Sequence, residues 1–468
     1  MMRPGTPWWL EEALGQEKTS TPAPSLVGSH ESDVVVVGAG YTGLWTALML
    51  KERRPELDVM LLESSIVGSG PSGRNGGFLH GYWEQLPALV RNFGNASAVQ
   101  MAEAGSAAQE GILEFIAKSD EDVWLRIAGI VMVATSEAQE AAVDRAVENA
   151  KQLGRTHDVS PLSRAEVRAR CDSPAFGRGV LFHEAATLQP ARLARALRRA
   201  VLAAGVRLYE GTHVESVETE SGLQVRTSLG TVACRDVVLA TNTALARDPL
   251  GRAYVTNLSS YIVLTEPVPQ LINELGWLGG EGFRDARMFL HYFRTTPDGR
   301  IAVGTGAGPI GFAGREDRAV RDRATVQHLV DEARRLLPQL AAVEFTHAWA
   351  GPIDMASDHI PIFGTKPGTR IHYGYGFSGH GVNATWIAGQ TLTSLVLDQS
   401  DRWTDLPFCR RRAPKLPPEP FRFLGGRGIK SAIMTVEDAL DAGSPPPLWA
   451  RVGAELPQLL GLRIGTRR

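Results

Sequence analysis

Residues 33–63 constrain the chain more than any other stretch. Asp33 is followed by four valines, Val34 to Val37, and then by Gly38-Ala39-Gly40-Tyr41-Thr42-Gly43. An apolar helical pattern runs from Leu44 to about Lys51, and a second apolar run, Val59-Met60-Leu61-Leu62, ends on Glu63. The order is strand, glycine turn, helix, strand, acid. Gly38 permits the tight turn out of the strand, Gly40 lets a ligand approach the backbone, and Gly43 lets the helix pack closely on the strand.

The first helical turn offers unpaired N–H groups and a positive dipole end to a pyrophosphate. Tyr41 and Thr42 belong to that turn. Glu63 stands where a carboxylate accepts hydrogen bonds from ribose hydroxyls, and its charge opposes a 2′-phosphate. FAD or NAD fits this arrangement better than NADP. A glycine turn alone is weak evidence; here the flanking elements and the terminal acid agree with it.

A chain of 468 residues can bury two sizeable cores. A formal net charge of −2, with no basic stripe, argues against nucleic acid as a partner. Cys171, Cys234 and Cys409 are widely spaced and form no CxxC pair, which argues against a disulfide framework or a zinc site and suits a reducing cytoplasm. No apolar run has the length to span a bilayer, and the N-terminal residues do not read as a signal peptide.

A second glycine-rich loop follows Glu63, from Val67 to Gly77, and contains Ser72-Gly73-Arg74-Asn75-Gly76-Gly77. Its glycines permit close backbone approach to a flat or anionic ligand, although a plain flexible loop has the same composition. A third glycine-rich stretch, Gly376-Phe377-Ser378-Gly379-His380-Gly381-Val382, leads into a helix expected from Thr385 to about Leu397. That helix start is another place for an electron-rich ligand edge.

Between these loops the periodicity predicts helices over 97–118, 137–153 and 322–337, and one starting near Pro190. Strands are expected at 129–134, 206–209, 261–264, 288–293 and 300–304. Segments 214–219, 223–227 and 231–234 alternate like a meander, and 236–242 reads as a separate buried parallel strand ending near Thr241. Residues 1–30 read as a mostly irregular arm whose Trp8 and Trp9 pack on the body. The tail beyond Pro407 is proline-rich, with Leu456, Leu459, Leu460 and Leu462 available for docking.

The glycine turn with Glu63, the Ser72–Gly77 run, Tyr292-Phe293-Arg294 before Asp298-Gly299-Arg300, and the Gly376–Val382 run together resemble the D-amino-acid oxidase and glycine oxidase superfamily of FAD-dependent oxidoreductases, most closely its γ-glutamylputrescine oxidase branch. The resemblance spans roughly residues 31 to 400. It implies an α/β protein in which a Rossmann-type FAD-binding domain is interleaved with an α+β substrate domain built on a mostly antiparallel sheet. The implied division is an arm at 1–30, FAD-binding parts at 31–110, 176–250 and 346–405, substrate parts at 111–175 and 251–345, and an extension at 406–468. It also implies oxidation of a C–N bond by hydride transfer to the flavin, imine hydrolysis and reoxidation by oxygen or another acceptor. The implied cofactor contacts are Gly38, Gly40, Tyr41, Thr42, Gly43, Glu63, the Ser72–Gly77 run, Val214, Thr241, Gly379, His380, Gly381 and Val382.

Two departures from the family pattern bear on the substrate. Where glycine and D-amino-acid oxidases often carry a carboxylate-clamping arginine, this chain has Ile353 in Gly351-Pro352-Ile353-Asp354, which favours a small amine without an adjacent carboxylate. Where sarcosine oxidases attach FAD through a cysteine, Ala350 stands, so non-covalent FAD is expected. His380 reads either as a structural histidine or as a group over the flavin that stabilises negative charge on the reduced ring. His291 reads as a strand-face residue. Asp354 reads as a capping aspartate or an attractor of substrate ammonium, and Arg74 as a ligand contact or a loop pin held by a salt bridge. Two other classes stay open: an amino-acid dehydrogenase using Arg294 or Arg287 as the clamp, and a flavin-binding protein without catalysis.

Overall fold

A computed structural model describes residues 5–17, 21–220, 222–316, 319–411 and 413–459. Leu460 and Leu462, two of the expected docking residues, lie outside them.

Two large sheets organise the chain. The first has the order Ile362–Thr365, Ile371–Tyr375, Gly230–Leu239, Gly28–Val37, Val59–Leu62, Arg207–Tyr209. Its inner pairs are parallel, with Val36 opposite Val238 on one side and Leu61 on the other. The four valines are buried on both faces, Val34 and Val36 under helices and Val35 and Val37 under the strands Val214–Glu218 and Leu223–Thr227, so they appear as an uninterrupted apolar run. The Tyr41–Arg53 and Gly381–Val396 helices pack together on this sheet. Gly389 makes their close approach possible, since a Cβ there would sit 2.7 Å from the Trp45 Cβ.

The second sheet has the order Phe345–Ala356, Val255–Thr265, Ile301–Thr305, His291–Thr295, Gly282–Arg284, Ile130–Val133, Gly179–Phe182, Val159–Leu162. It is antiparallel except where Gly282–Arg284 runs parallel to Ile130–Val133. An aromatic stack of Phe176, Phe283 and Phe293, with Trp277 edge-on, fills the space behind it. Each such ring buried stabilises by about 1.5–3 kcal/mol.

Several expectations change. Residues 8–16 are a helix, not irregular arm, and Trp9 is fully buried with its ring edge-on to Trp349. Glu12 pairs with Arg192, and Glu17 with Arg195, which fixes this helix against Pro190–Ala203. The third meander strand and the parallel strand are one continuous strand, Gly230–Leu239, because its first half pairs with Leu223–Thr227 while its whole length pairs with Gly28–Val37. The helix expected at 97–118 begins at Leu86 and bends at Gly94 (φ +77°), and Val99 on it is exposed. The strand expected from residue 288 begins at His291. Gly179–Phe182 and Phe345–Ala356 hydrogen-bond within the second sheet, so that sheet reaches past the boundaries expected at 175 and 345.

The largest change is the tail, which folds into two helices, Phe421–Asp441 and Leu448–Leu459, packed on each other. Arg287 holds this hairpin by pairing with Asp438 and Asp441, and Ser136 also bonds Asp441.

Candidate active site

A cavity of about 1580 Å³ runs from the glycine turn of the first sheet, across the inner face of the second, to the C-terminal hairpin. Its nucleotide end is built by local backbone constraints. Gly38 takes φ +100°, and a Cβ there would lie 2.6 Å from the Ala240 carbonyl oxygen. The Thr42 and Gly43 N–H groups, in the first turn, have no intrahelical partner. That of Tyr41 donates to the Ser72 hydroxyl at 2.8 Å, which ties the second glycine loop to the helix start.

Glu63 ends its strand with one carboxylate oxygen accepting from Ala39 N at 3.0 Å and the other from Ser65 N at 2.9 Å. An ionised carboxylate has about four acceptor sites, so capacity remains for ribose hydroxyls. The second loop is held by its own side chains. Asn75 donates to the Pro71 and Ser72 carbonyls and accepts from Gly77 N. Arg74 donates to the Ser69 and Ala350 carbonyls at 2.6 and 3.1 Å, so it pins its loop through main-chain acceptors and not through the expected salt bridge. Trp349 Nε1 donates to the Arg74 carbonyl at 2.9 Å.

Of the expected cofactor contacts, Gly38, Gly40, Tyr41, Thr42, Glu63, Ser72, Arg74, Asn75, Gly76, Val214, Thr241, Gly379, His380, Gly381 and Val382 all line this cavity. Gly43, Gly73 and Gly77 do not. A Cβ on them would lie 1.9 Å from Gly38 O, 2.0 Å from Gly68 O and 1.9 Å from Leu188 O, respectively. Their task is to let backbone segments touch behind the wall. The helix expected from Thr385 starts at Gly381, so Gly381 and Val382 form its first turn and aim its N-terminus into the cavity.

Asp354 takes the capping one of its expected roles. It is buried, and its carboxylate accepts from the main-chain N–H groups of Gly376 and Phe377. It therefore clamps the third glycine loop and is not free to attract an ammonium. Burial pushes its pKa up to about 7, against the lowering effect of those bonds.

His380 lies at the start of the Gly381–Val396 helix and lines the cavity. Its ring packs edge-on to His80 with centroids 5.3 Å apart. Burial, with His80 and His359 nearby, pushes its pKa down to about 3, so the ring is neutral at physiological pH. His380 Nδ1 lies 3.2 Å from the Ser378 carbonyl oxygen, to which it donates in the Nδ1–H tautomer. His291, as expected, is a structural residue: it is buried and bonded to Asp285 at 2.7 Å.

Neither alternative clamp is available. Arg294 is 2% exposed and donates to the Leu188 carbonyl at 2.6 Å, with Gly76 and Gly77 carbonyls beside it. Arg287 is occupied by the hairpin acids. Ile353 itself lines the cavity, its Cδ1 3.7 Å from where a Gly379 Cβ would be. Sequence reasoning missed the neutral His80–His380 pair and the whole hairpin wall of Arg422, Lys430 and Glu437. His80 carries no local signal, and the hairpin residues lie far along the chain.

The family model described as FAD dependent oxidoreductase matches residues 33–395. The chain belongs to this family. γ-Glutamylputrescine oxidoreductase of Escherichia coli K12 is 29% identical over 412 residues, covering 87% of this chain and 92% of the relative. Glycine oxidase of Geobacillus kaustophilus is 25% identical over 397 residues, covering 82% and 98%. The crystal structure of glycine oxidase from that organism shares the fold, with a TM-score of 0.67 at 24% identity and coverage of 82% of this chain and all of the other. An L-proline dehydrogenase from P. horikoshii aligns with a TM-score of 0.64 at 18% identity, covering 83% and 96%.

The protein is thus an FAD-dependent oxidoreductase, and its residues suit the cofactor. The glycine turn, the Glu63 carboxylate and the uncapped helix starts meet one elongated cavity. None of the three cysteines lines it, in keeping with non-covalent FAD. Among the described residues no helix is long and apolar enough to cross a membrane.

Proposed function

We propose that the protein oxidises the C–N bond of a small primary or secondary amine with no carboxylate adjacent to that bond, of the γ-glutamylputrescine kind. The observation that carries this reading is Ile353. It lines the cavity beside the third glycine loop, where amino-acid oxidases of the superfamily often place a clamping arginine, and both Arg294 and Arg287 are held elsewhere. Leaving a buried substrate carboxylate without a partner costs several kcal/mol, so selectivity against α-amino acids should be large. FAD supplies a two-electron acceptor for the hydride from the carbon next to nitrogen, leaving an imine that water hydrolyses to a carbonyl and the freed amine.

The cavity residues contribute position and polarity. The Gly381–Val396 helix start and the Ser72–Gly77 loop define where a flat ring can lie. Tyr292, fixed by its hydrogen bond with the Ser260 hydroxyl at 2.9 Å, walls the substrate side. The proposed mechanism has the amine bind deprotonated, so that no dedicated base is required. Dioxygen is the proposed final acceptor, giving hydrogen peroxide, and the cytoplasm the proposed location.

Anaerobic flavin bleaching tests the reading across putrescine, γ-glutamylputrescine, sarcosine, glycine and D-alanine. Amines without a carboxylate next to the oxidised C–N bond should reduce the flavin fastest. Amino acids outrunning them by about tenfold, about 1.4 kcal/mol in barrier, would overturn it. Peroxide release in air separates an oxidase from a carrier-linked dehydrogenase.

A further inference from the structure

The family match ends at residue 395, yet the hairpin beyond it closes the cavity with Arg422, Lys430, Ile433 and Glu437. Lys430 is the unusual member. Its ammonium donates to the Ala307 and Gly308 carbonyls at 2.5 and 2.9 Å, and it has three N–H groups, so one remains for the cavity. Among the described residues no carboxylate forms an ion pair with it. Arg422 behaves alike, donating to the Pro417 and Val255 carbonyls at 3.1 Å each. Burial lowers Lys430 to about 8, with Asp322 and Arg427 acting on it more weakly and in opposite senses. A half-buried cation satisfied only by neutral carbonyls is costly to keep unless something else brings the opposite charge.

The location suggests which charge that is. Ala307 and Gly308 follow the strand Ile301–Thr305, whose neighbour carries Leu258 opposite Ile353. The cavity is apolar at Ile353, and Arg422 and Lys430 bring positive charge to it from the hairpin. We propose that Lys430 binds a carboxylate at the far end of the amine substrate, remote from the bond being oxidised, and so determines specificity. This rests on the amine reading above and names the residue that reads the remote end of the substrate. Glu437 lies two helical turns along the same helix, about 10.5 Å away along its axis, and accepts from Met288 N at 2.6 Å. It marks the opposite end of the hairpin wall and is not the partner of Lys430.

The test uses the holoenzyme and two matched substrates, putrescine acylated at one nitrogen with succinic acid or with butyric acid. They have similar length and differ in the remote carboxylate. The wild-type KM should be at least tenfold lower for the succinyl compound, the size expected of a charge-assisted bond. Lys430→Met should collapse that ratio to about one, and Lys430→Arg should keep most of it. A wild-type ratio near one overturns the inference even if the variants do not fold. A ratio that persists in a folded, flavin-loaded Lys430→Met overturns it too, since another group then reads the carboxylate. If neither acylated diamine reduces the flavin while glycine does, the amine reading fails and this inference with it. If both reduce it with equal KM, only the inference fails.

Discussion

The Glu63 carboxylate accepts the backbone N–H of Ala39 at 3.0 Å, joining the acid at the end of one strand to the glycine turn at the end of its neighbour. One group thus fixes the turn that faces a pyrophosphate and keeps acceptor sites for a ribose. Glu63→Gln retains shape but loses charge and gains donors in the wrong place. A lost charge-assisted bond is worth about 1.5–3 kcal/mol. Titration of apoprotein with FAD should show affinity at least tenfold weaker than wild type. An unchanged dissociation constant would remove Glu63 from the cofactor site.

Gly43→Ala should damage the protein without touching the cavity. The new Cβ would sit 1.9 Å from Gly38 O, so the helix must move off the strand. Overpacking of this kind costs about 1–3 kcal/mol. Thermal unfolding of the apoprotein should therefore drop, with flavin content falling alongside. An apoprotein of normal Tm that merely failed to hold FAD would mean Gly43 acts by direct contact instead.

Acid precipitation of the purified yellow protein should release all flavin into the supernatant. Cys171, Cys234 and Cys409 lie away from the cavity, and Ala350 offers no thiol. Colour remaining in the pellet would contradict this.

Asp354 should give the protein a pH-sensitive clamp. Its folded pKa, about 7, stands above the ordinary carboxylate value of 3.8. The native state therefore holds this proton more tightly than the unfolded chain. The associated stability is full below about pH 4, falls by up to about 1.4 kcal/mol per pH unit between there and 7, and levels off above 7. Asp354→Asn cannot titrate. Plotting the Tm of wild type minus that of the variant from pH 5 to 9 should give a curve that declines up to about 7 and flattens above it. A flat difference would show that the carboxylate is already ionised throughout.

Much of the nucleotide half was legible because its signals are local. A turn that needs φ +100° at Gly38, four valines buried on both faces, and an acid closing the next strand all lie within residues 33–63, and short-range sterics dictate them. The resemblance carried the sheet-based second half. The finer assignments failed where a side chain's partner lies far along the chain. Arg294 reads as a candidate clamp until Leu188 and Gly77 are brought beside it, and the two readings of Asp354 separate only when Gly376 and Phe377 close on it.

The sequence by itself determined the cofactor class, the doubly covered parallel strands and the absence of a clamping arginine at Ile353. Only the tertiary structure decided which glycines face the ligand and which let the backbone pass, and whether His380 carries charge. It also decided that the proline-rich tail becomes a helical wall with Lys430 in the cavity. The physical reason is range. Backbone sterics and alternation act over a few residues, whereas burial, desolvation and cavity shape exist only once segments hundreds of residues apart have met.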